Sequence, residues 1–599
     1  MKKTALVIAL GVALTACSKK EEATTEAPAA PKAAPAANLP LSYAPAGTAY
    51  VMGNFEPAPK TYIDTVTPMV NSIKAAVLQT IDRSLEALAK EDEPQAQTAL
   101  QWVKERLQQP ETLESMGIRF NSMAAVYEIA ALPVMRLELA DTQRFQAFIA
   151  EIEGKLGEKI PTAEVNGQPY WHIALDRPEQ AQDEQPQEAT QAAQPATAKP
   201  TQAPTGPQLV WAVVGQHLVM SIVPSSDLAQ LPRLLGLEKP ARSVIDSGEL
   251  AAVNKEFGYQ PYGPSLLLDT RRMLALAMPE QNNWISRQLK EDGIVIDATC
   301  KAELESIAAK APRLMGGAKE MSQQKAVFSG LLELESKIAG DLQKIAAPVP
   351  ALGSSRQGVE FGFSLNIQPL AQFLQAQSQA VQAAPYQCAL LAPLNEGMAQ
   401  MNQSIAGLYA VAGFASGVRV HLQELDLDTQ KVRGMLLVAS PNPQGLLGMA
   451  QGMMPELGKL GLLPDGQAKP LQSPLLGTIS QEQDKAWLAM TDKSLGIAVG
   501  SDGQKPLEDA LKATGLTPAP LVYFGADGPS YAKLQKEFND LSRSMMPPEA
   551  DDLGLHQLEQ LMEPLNQAAI GLYQSLRFVS SNYHFSSRGL ELTSETQFR

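Results

Sequence analysis

The chain has little of what chemistry at a protein site usually needs. Histidine occurs five times in 599 residues. His172, His217, His421, His556 and His584 are never three to five apart, so no helical metal-binding pair exists. Aromatic residues make up only 6%, which leaves no stacking platform for nucleotide bases. There are 49 Lys and Arg against 64 Asp and Glu, a net charge of −15. Phosphate contact needs clustered cations, so a nucleic-acid partner is excluded, and broad adhesion to anionic headgroups is disfavoured. Beyond the first seventeen residues no apolar run is long enough to span a bilayer. No Gly-x-Ser-x-Gly elbow and no phosphate-binding loop occurs. The carboxylate clusters Glu91-Asp92-Glu93 and Glu549 with Asp551 and Asp552 lie beside Pro in polar turns, where nothing raises one pKa for acid–base work. No cofactor or metal is expected.

The first seventeen residues are the most informative. Met1-Lys2-Lys3 is a basic start, Thr4 to Ala13 is a short apolar run, and Leu14-Thr15-Ala16-Cys17 follows. A basic, then apolar, then small-residue order is that of a secretory signal peptide. Leu14-Thr15-Ala16-Cys17 also resembles the bacterial lipobox. That resemblance implies cleavage after residue 16, a diacylglycerol thioether on Cys17 and a third acyl chain, such as palmitate, on the new N-terminus. Several chains hold firmly where one holds weakly. Ser18, in place of Asp, implies by the same resemblance the outer membrane, with the protein facing the periplasm; the inner membrane is the alternative. Loss of residues 1–16 removes two lysines and leaves 47 basic against 64 acidic residues, a charge of −17. Ser322 to Lys325 and Ser530 to Lys533 fit the Ser-x-x-Lys pattern of penicillin-binding nucleophiles, but the partner motifs of that family are missing.

Cys300 and Cys388 remain in a compartment that permits disulfides, and neither has a Cys-x-x-Cys partner or a nearby His. They are expected to form one bridge. Residues 17–38, rich in Ala and Pro, read as a disordered tether. Residues 177–208, rich in Gln, Ala and Pro, read as a disordered insert inside a folded unit, since strand-like runs flank it.

The folded part reads as a repeat. Pro45 to Asn54, Pro264 to Asp269 and Pro520 to Asp527 are each an apolar strand-like run after proline, ending on a residue able to cap a helix. Hairpins recur at Gly117-Ile118-Arg119-Phe120 with Ala125–Ile129 and Val134–Leu139, and at Gly417–Leu427 with Lys431–Val438. Trp-marked hairpins recur at Trp211–Val223 and Trp487–Val499, each followed by a helix with a C-terminal glycine, Gly236 or Gly515. The expected fold is α+β: about two and a half copies of an antiparallel hairpin-plus-helix unit, helices on one face of curved sheets. The copies span 39–260, 261–517 (with a mostly helical insert at about 301–412 holding one strand-like run, Gly358–Leu365) and 518–599. In the first copy Val66, Met69, Val70, Ile73, Val77, Ile81, Leu85 and Leu88 recur three or four apart, one apolar helix face. The Pro45-to-Tyr50 opening, Pro-x-x-x-Ala-Tyr, and the hairpin-then-helix units resemble an uncharacterised family of bacterial envelope proteins, a domain of unknown function that carries no activity to transfer.

Gly445 to Leu463 is rich in Met and Gly. It reads first as a core helix with Met as filler, and second as a lid or groove for acyl chains or a partner helix, with Leu446, Met449, Met453 and Met454 as ligand-binding candidates. Methionine-only copper binding at Met398, Met401, Met449 and Met453 lacks any joining His or Cys. The sequence therefore points to a non-enzymatic, lipid-anchored envelope protein with a binding or scaffold role toward an envelope protein partner. The alternatives are a carrier of a lipid or other hydrophobic ligand, and an enzyme of unknown reaction.

Overall fold

The computed structural model describes residues 38–90, 94–109, 112–175, 206–411, 413–426, 431–471, 486–544 and 555–599. Residues 1–16, read above as a signal peptide, Cys17 and the expected tether to residue 37 lie outside them, as do residues 177–205 of the expected insert and the acidic runs Glu91–Glu93 and Glu549–Asp552. Pro207 and Gln208, assigned above to the disordered insert, instead begin a strand.

The described residues form nineteen strands. The first ten are β1 Tyr50–Gly53, β2 Ala124–Ile129, β3 Leu132–Glu138, β4 Thr162–Val165, β5 Gln168–Ala174, β6 Pro207–Val214, β7 His217–Pro224, β8 Ser265–Asp269, β9 Arg313–Met321 and β10 Lys325–Glu333. Then come β11 Val359–Ser364, β12 Gly417–Asp426, β13 Lys431–Ala439, β14 Lys469–Leu471, β15 Ala486–Met490, β16 Ser494–Val499, β17 Val522–Asp527, β18 Leu576–Ser586 and β19 Gly589–Phe598. All join one antiparallel sheet in the order 4-5-6-7-3-2-1-8-9-10-19-18-17-11-12-13-16-15-14. Outward from the β10–β19 seam the same succession runs both ways: a hairpin partner, two single strands, a hairpin, a second hairpin. The order fits two matched runs, ending with β10 and β19, where the sequence suggested two and a half units. The positions 260/261 and 517/518 fall just before β8 and β17, within the continuous sheet.

The mismatch has a local cause. Residues 301–412 hold three strands, not one. β9 contains Gly316-Gly317 and Ala318-Lys319-Glu320, residue types depleted in strands, and its pairing with β10 and β8 overrides that propensity. Gly117 to Phe120 is a turn, not a strand: Gly117 has φ +76° and a Cβ there would lie 2.1 Å from the Asp141 carbonyl. Its own carbonyl instead accepts from Ala140 and Asp141 and fixes the following helix start.

The longer helices are α1 Lys60–Lys90, α2 Pro94–Gln108, α3 Thr142–Leu156, α4 Glu249–Phe257, α5 Ala298–Lys310, α6 Ile367–Ala383, α7 Ala392–Val411, α8 Pro443–Met453, α9 Gln504–Lys512, α10 Gly528–Ser544 and α11 Leu555–Ser575. No helix among the described residues is long and apolar enough to cross a membrane. Asp141 caps α3 by accepting from the amides of Gln143 and Arg144, and Asn442 caps α8 through Gly445. Asn54 caps nothing; its side chain accepts from Ala124 of the neighbouring strand. Gly515 has ordinary backbone and is required by space, since a Cβ would meet the Val349 carbonyl at 2.3 Å. The apolar stripe of α1 packs in two places, Val66 and Met69 against Ala326 and Phe598, and Ile81 against Leu107 of α2. Cys300 of α5 and Cys388 are disulfide-bonded and buried with Leu391.

Helices do not keep to one face at the ends of the sheet. Trp211 and Leu218 pack under Phe145 and Phe148 of α3, while Val210 and Val219 pack on the opposite face with Leu234 and Leu250. At the far end Leu447 and Leu457 cover Leu488 and Met490, while Leu507 and Leu511 cover Leu437 and Ala498. These strands are apolar at both parities, the pattern of a sheet covered on both sides.

Candidate functional site

Successive strand residues point to opposite faces, so the register carries one face across the whole sheet. Starting at Met52 of β1, cross-strand partners run Leu266, Gly316, Gly330, Leu592, Tyr583, Val522, Phe363, Val418 and Val438 of β13. A second row on the same face runs Phe328, Ser594, Ser581, Phe524, Phe361, Val420 and Leu436. A third runs Tyr50, Leu268, Leu314, Leu332, Leu590 and Phe585. None of the three rows contains a charged residue, and none of these side chains is buried. Phe361 is 45% exposed, Met52 42% and Phe363 39%. Neighbouring strands lie about 4.8 Å apart and alternate residues about 7 Å, so the longest row is about 43 Å, and the floor is about 14 Å wide where all three rows run side by side, on β10, β19 and β18, and about 7 Å wide elsewhere.

The first row continues past both ends of the open stretch. On one side it passes Val126, Met135 and Met220 to Trp211, which is 0% exposed beneath α3. On the other it reaches Leu495 and then Met490, 1% exposed beneath α8. The floor is thus open in the middle and closed at both ends.

Three helices add to the apolar surface. Tyr531 of α10 sets its ring 5.2 Å from Phe524 of the floor and 4.5 Å from Tyr573 of α11. Tyr531, Leu534, Phe538 and Leu541 share one helix face, so the stripe that begins against the floor runs on into Phe538 and Leu541, both exposed. The stripe of α1 does the same, from Val66 at the seam to exposed Ile73, and that of α11 from Tyr573 to exposed Met562.

The polar clusters lie on the opposite face. Arg136 donates to the Leu235 carbonyl at 2.7 Å, reaches His217 Nδ1 at 3.3 Å and stacks 3.7 Å over Tyr43. Burial, then the adjacent Arg136, lowers the His217 pKa to about 4. Glu360 accepts from the Gly353 amide at 2.6 Å and from Arg419 at 2.8 Å. Burial, then Glu360, pushes Tyr523 up to about 12. Ser355 Oγ and His421 Nε2 are 3.0 Å apart, the spacing of a nucleophile and its base. His421 Nε2 also sits 2.8 Å from the Gln357 carbonyl. A carbonyl only accepts, so that nitrogen carries the proton and has no lone pair for Ser355. These groups are internal struts. No set of three or more His, Cys, Asp or Glu among the described residues is placed to hold a metal.

Of the residues singled out above, Cys300 and Cys388 come together and Cys17 lies outside the described residues. Leu446 is half-buried, Met449 is 56% exposed, Met454 packs beside the Leu447 cluster, and the side chain of Met453 lies outside the described ones. The Met-rich helix α8 covers the end of the row rather than forming its open middle. The floor residues Met52, Phe361 and Phe363 stand in runs recognised as strands, but their period-2 signal says only that one face is apolar, not that it is left uncovered. No protein-family model, curated protein or solved structure matches the chain.

Proposed function

We propose that the protein is a lipid-anchored binding protein of a bacterial envelope, facing the periplasm from the outer membrane, and that its floor holds acyl chains. One observation carries the ligand class: ten consecutive strands present an unbroken apolar row with no charge and no buried member. A surface of that size in water is unfavourable at roughly 25 cal/mol per Å² unless something apolar covers it. The lipobox supports the location, since it would hold the protein beside a source of acyl chains. We read the two matched strand runs as copies of one unit, which makes the floor a shared product of both.

A protein partner on the same floor is the weaker reading. Protein interfaces carry about one hydrogen bond per 100–200 Å², and the floor offers only two serine and two tyrosine hydroxyls. Catalysis is weaker still, because no polar groups converge there.

Two measurements test this. Metabolic labelling with a palmitate analogue should mark the wild type and not Cys17→Ala; label retained on the variant would remove the anchor. The purified protein, mixed with a brominated fatty acid, should show quenched Trp or Tyr fluorescence and a discrete bound mass. Phe361→Asp with Phe363→Asp should abolish both, because it sets two carboxylates in the middle of the floor. Unchanged binding by that variant would overturn the site.

A further inference from the structure

We infer that the pocket framed by residues 233–242 and Pro45-Ala46, on the face of the sheet opposite the floor, binds the phosphomonoester group of a small organic ligand. The inference stands apart from the acyl-binding reading. The cavity measures about 400 Å³, within the range of small-molecule sites. Arg233, Lys239 and Arg242 line it against one carboxylate, Glu238, which leaves a local excess of positive charge. The chain around it has a net charge of −15 and as a whole repels anions. Neither arginine is neutralised. Arg233 reaches only the neutral amide of Gln230, at 3.3 Å. The Arg242 side chain has no hydrogen bond or ion pair among the described residues.

Both walls are fixed before any ligand arrives. The Ala46 amide donates to the Arg242 carbonyl at 2.9 Å, and Pro45 forms an antiparallel bridge with Ser243, which caps a short helix through the Asp246 amide. Across the pocket the Leu237 and Glu238 amides both donate to the Pro232 carbonyl, at 2.8 and 3.1 Å. A further cation lies behind this loop. A Cβ on Gly236 would collide with the Arg136 guanidinium, and the Tyr43 ring carries Arg136 at 3.7 Å and Lys239 at 4.9 Å. Arg136 is 0% exposed and pairs with no carboxylate among the described residues, whereas Arg419, 2% exposed, holds Glu360 at 2.8 Å. A buried cation without an anion is costly, and an anion in the pocket would offset it. The chemistry selects phosphate over carboxylate. A phosphomonoester carries about two negative charges at neutral pH and three acceptor oxygens, one for each lining cation, where a carboxylate has one charge and two oxygens. Guanidinium forks bind such oxygens in pairs. Pro45, Ile129 and Pro240 leave an apolar wall for the rest of the ligand.

The test is calorimetric titration of the full-length protein, in a neutral detergent, with glucose 6-phosphate, glucose and glucuronate. Dihexanoyl phosphatidic acid, a lipid phosphomonoester, and dihexanoyl phosphatidylcholine form a second arm. Glucose 6-phosphate should bind, glucose should not, and glucuronate should bind more weakly. Arg233→Gln with Arg242→Gln changes two exposed side chains, so the variant should fold. It should weaken phosphomonoester binding by about tenfold or more and leave quenching by the brominated fatty acid unchanged. Binding of glucose 6-phosphate assigns the group to a free organic phosphate. Binding of phosphatidic acid without glucose 6-phosphate, tighter than phosphatidylcholine and lost in the variant, assigns it to a lipid headgroup. Binding of neither phosphomonoester, equal affinity for glucuronate, or binding indifferent to the variant would overturn the inference and leave the acyl-binding reading untouched.

Discussion

The same cross-strand row is buried at its ends and open in its middle, though its composition hardly changes. Trp211 and Met490 are at most 1% exposed, while Phe363 and Met52 are 39% and 42% exposed. What differs is the layer above. α3 and α8 each arise directly after a hairpin and cover the next hairpin along the sheet, whereas α1, α10 and α11 each touch the floor near one end of the helix and carry their apolar stripes onward. The comparison separates two states of one kind of surface: where the row is covered it stabilises the fold, and where it is open it is the surface proposed to hold acyl chains.

That separation can be broken by substitution. Trp211→Ala should be the most damaging change, costing about 3–5 kcal/mol by urea unfolding, because it empties a fully enclosed site. A loss below about 1 kcal/mol would mean that the ends are no better packed than the middle. Trp211→Phe should be far milder, since the buried indole nitrogen has no hydrogen-bond partner to lose.

The covered side has its own signature in pH. His217 titrates near 4 when folded, against 6.5 for an ordinary histidine. Between those values the unfolded chain binds the extra proton, so stability falls as pH drops through 6.5 and levels off below about 4. The full shift corresponds to roughly 3 kcal/mol. His217→Gln should flatten that part of the stability curve while leaving acyl uptake at neutral pH alone. A variant that changed uptake instead would join the two faces that the strand parity keeps apart.

The smallest effect on stability should come from the open middle. Phe363→Ser should shift the unfolding midpoint by about 1 kcal/mol or less, yet weaken uptake of the brominated fatty acid several-fold. A large stability loss with intact uptake would reverse the assignment of the two regions.

Much of this was legible in the sequence. The caps Asp141, Asp269 and Asn442, both Trp hairpins and the last hairpin all follow from local rules, because each is decided by residues near one another in the chain, while the cysteine pair, 88 residues apart, follows from there being only two cysteines beyond Cys17. The seam and the floor were not. β10 pairs with β19 across more than 250 residues, and β9 looks unlike a strand until its neighbours are known. The Phe361 and Phe363 alternation with Glu360 and Gly362 announces one apolar and one closely packed face. Which of the two a helix covers depends on where α10 and α11 end up, and no spacing in the sequence encodes that. The Met-rich helix stands out in the sequence by its composition, while the floor is built from ordinary Leu, Val and Phe.

Among the described residues this broad sheet has two free borders, and both are blunted. One is β4, four residues with Glu164 among them, and the other is β14, three residues with Pro470 in the middle. Free borders recruit strands from neighbouring molecules, and short length, charge and proline each discourage that. This means that crowding of copies alone should not drive end-to-end polymerisation. Loss of β19 would be another matter: it would open two new borders, those of β10 and β18, at the very centre of the molecule.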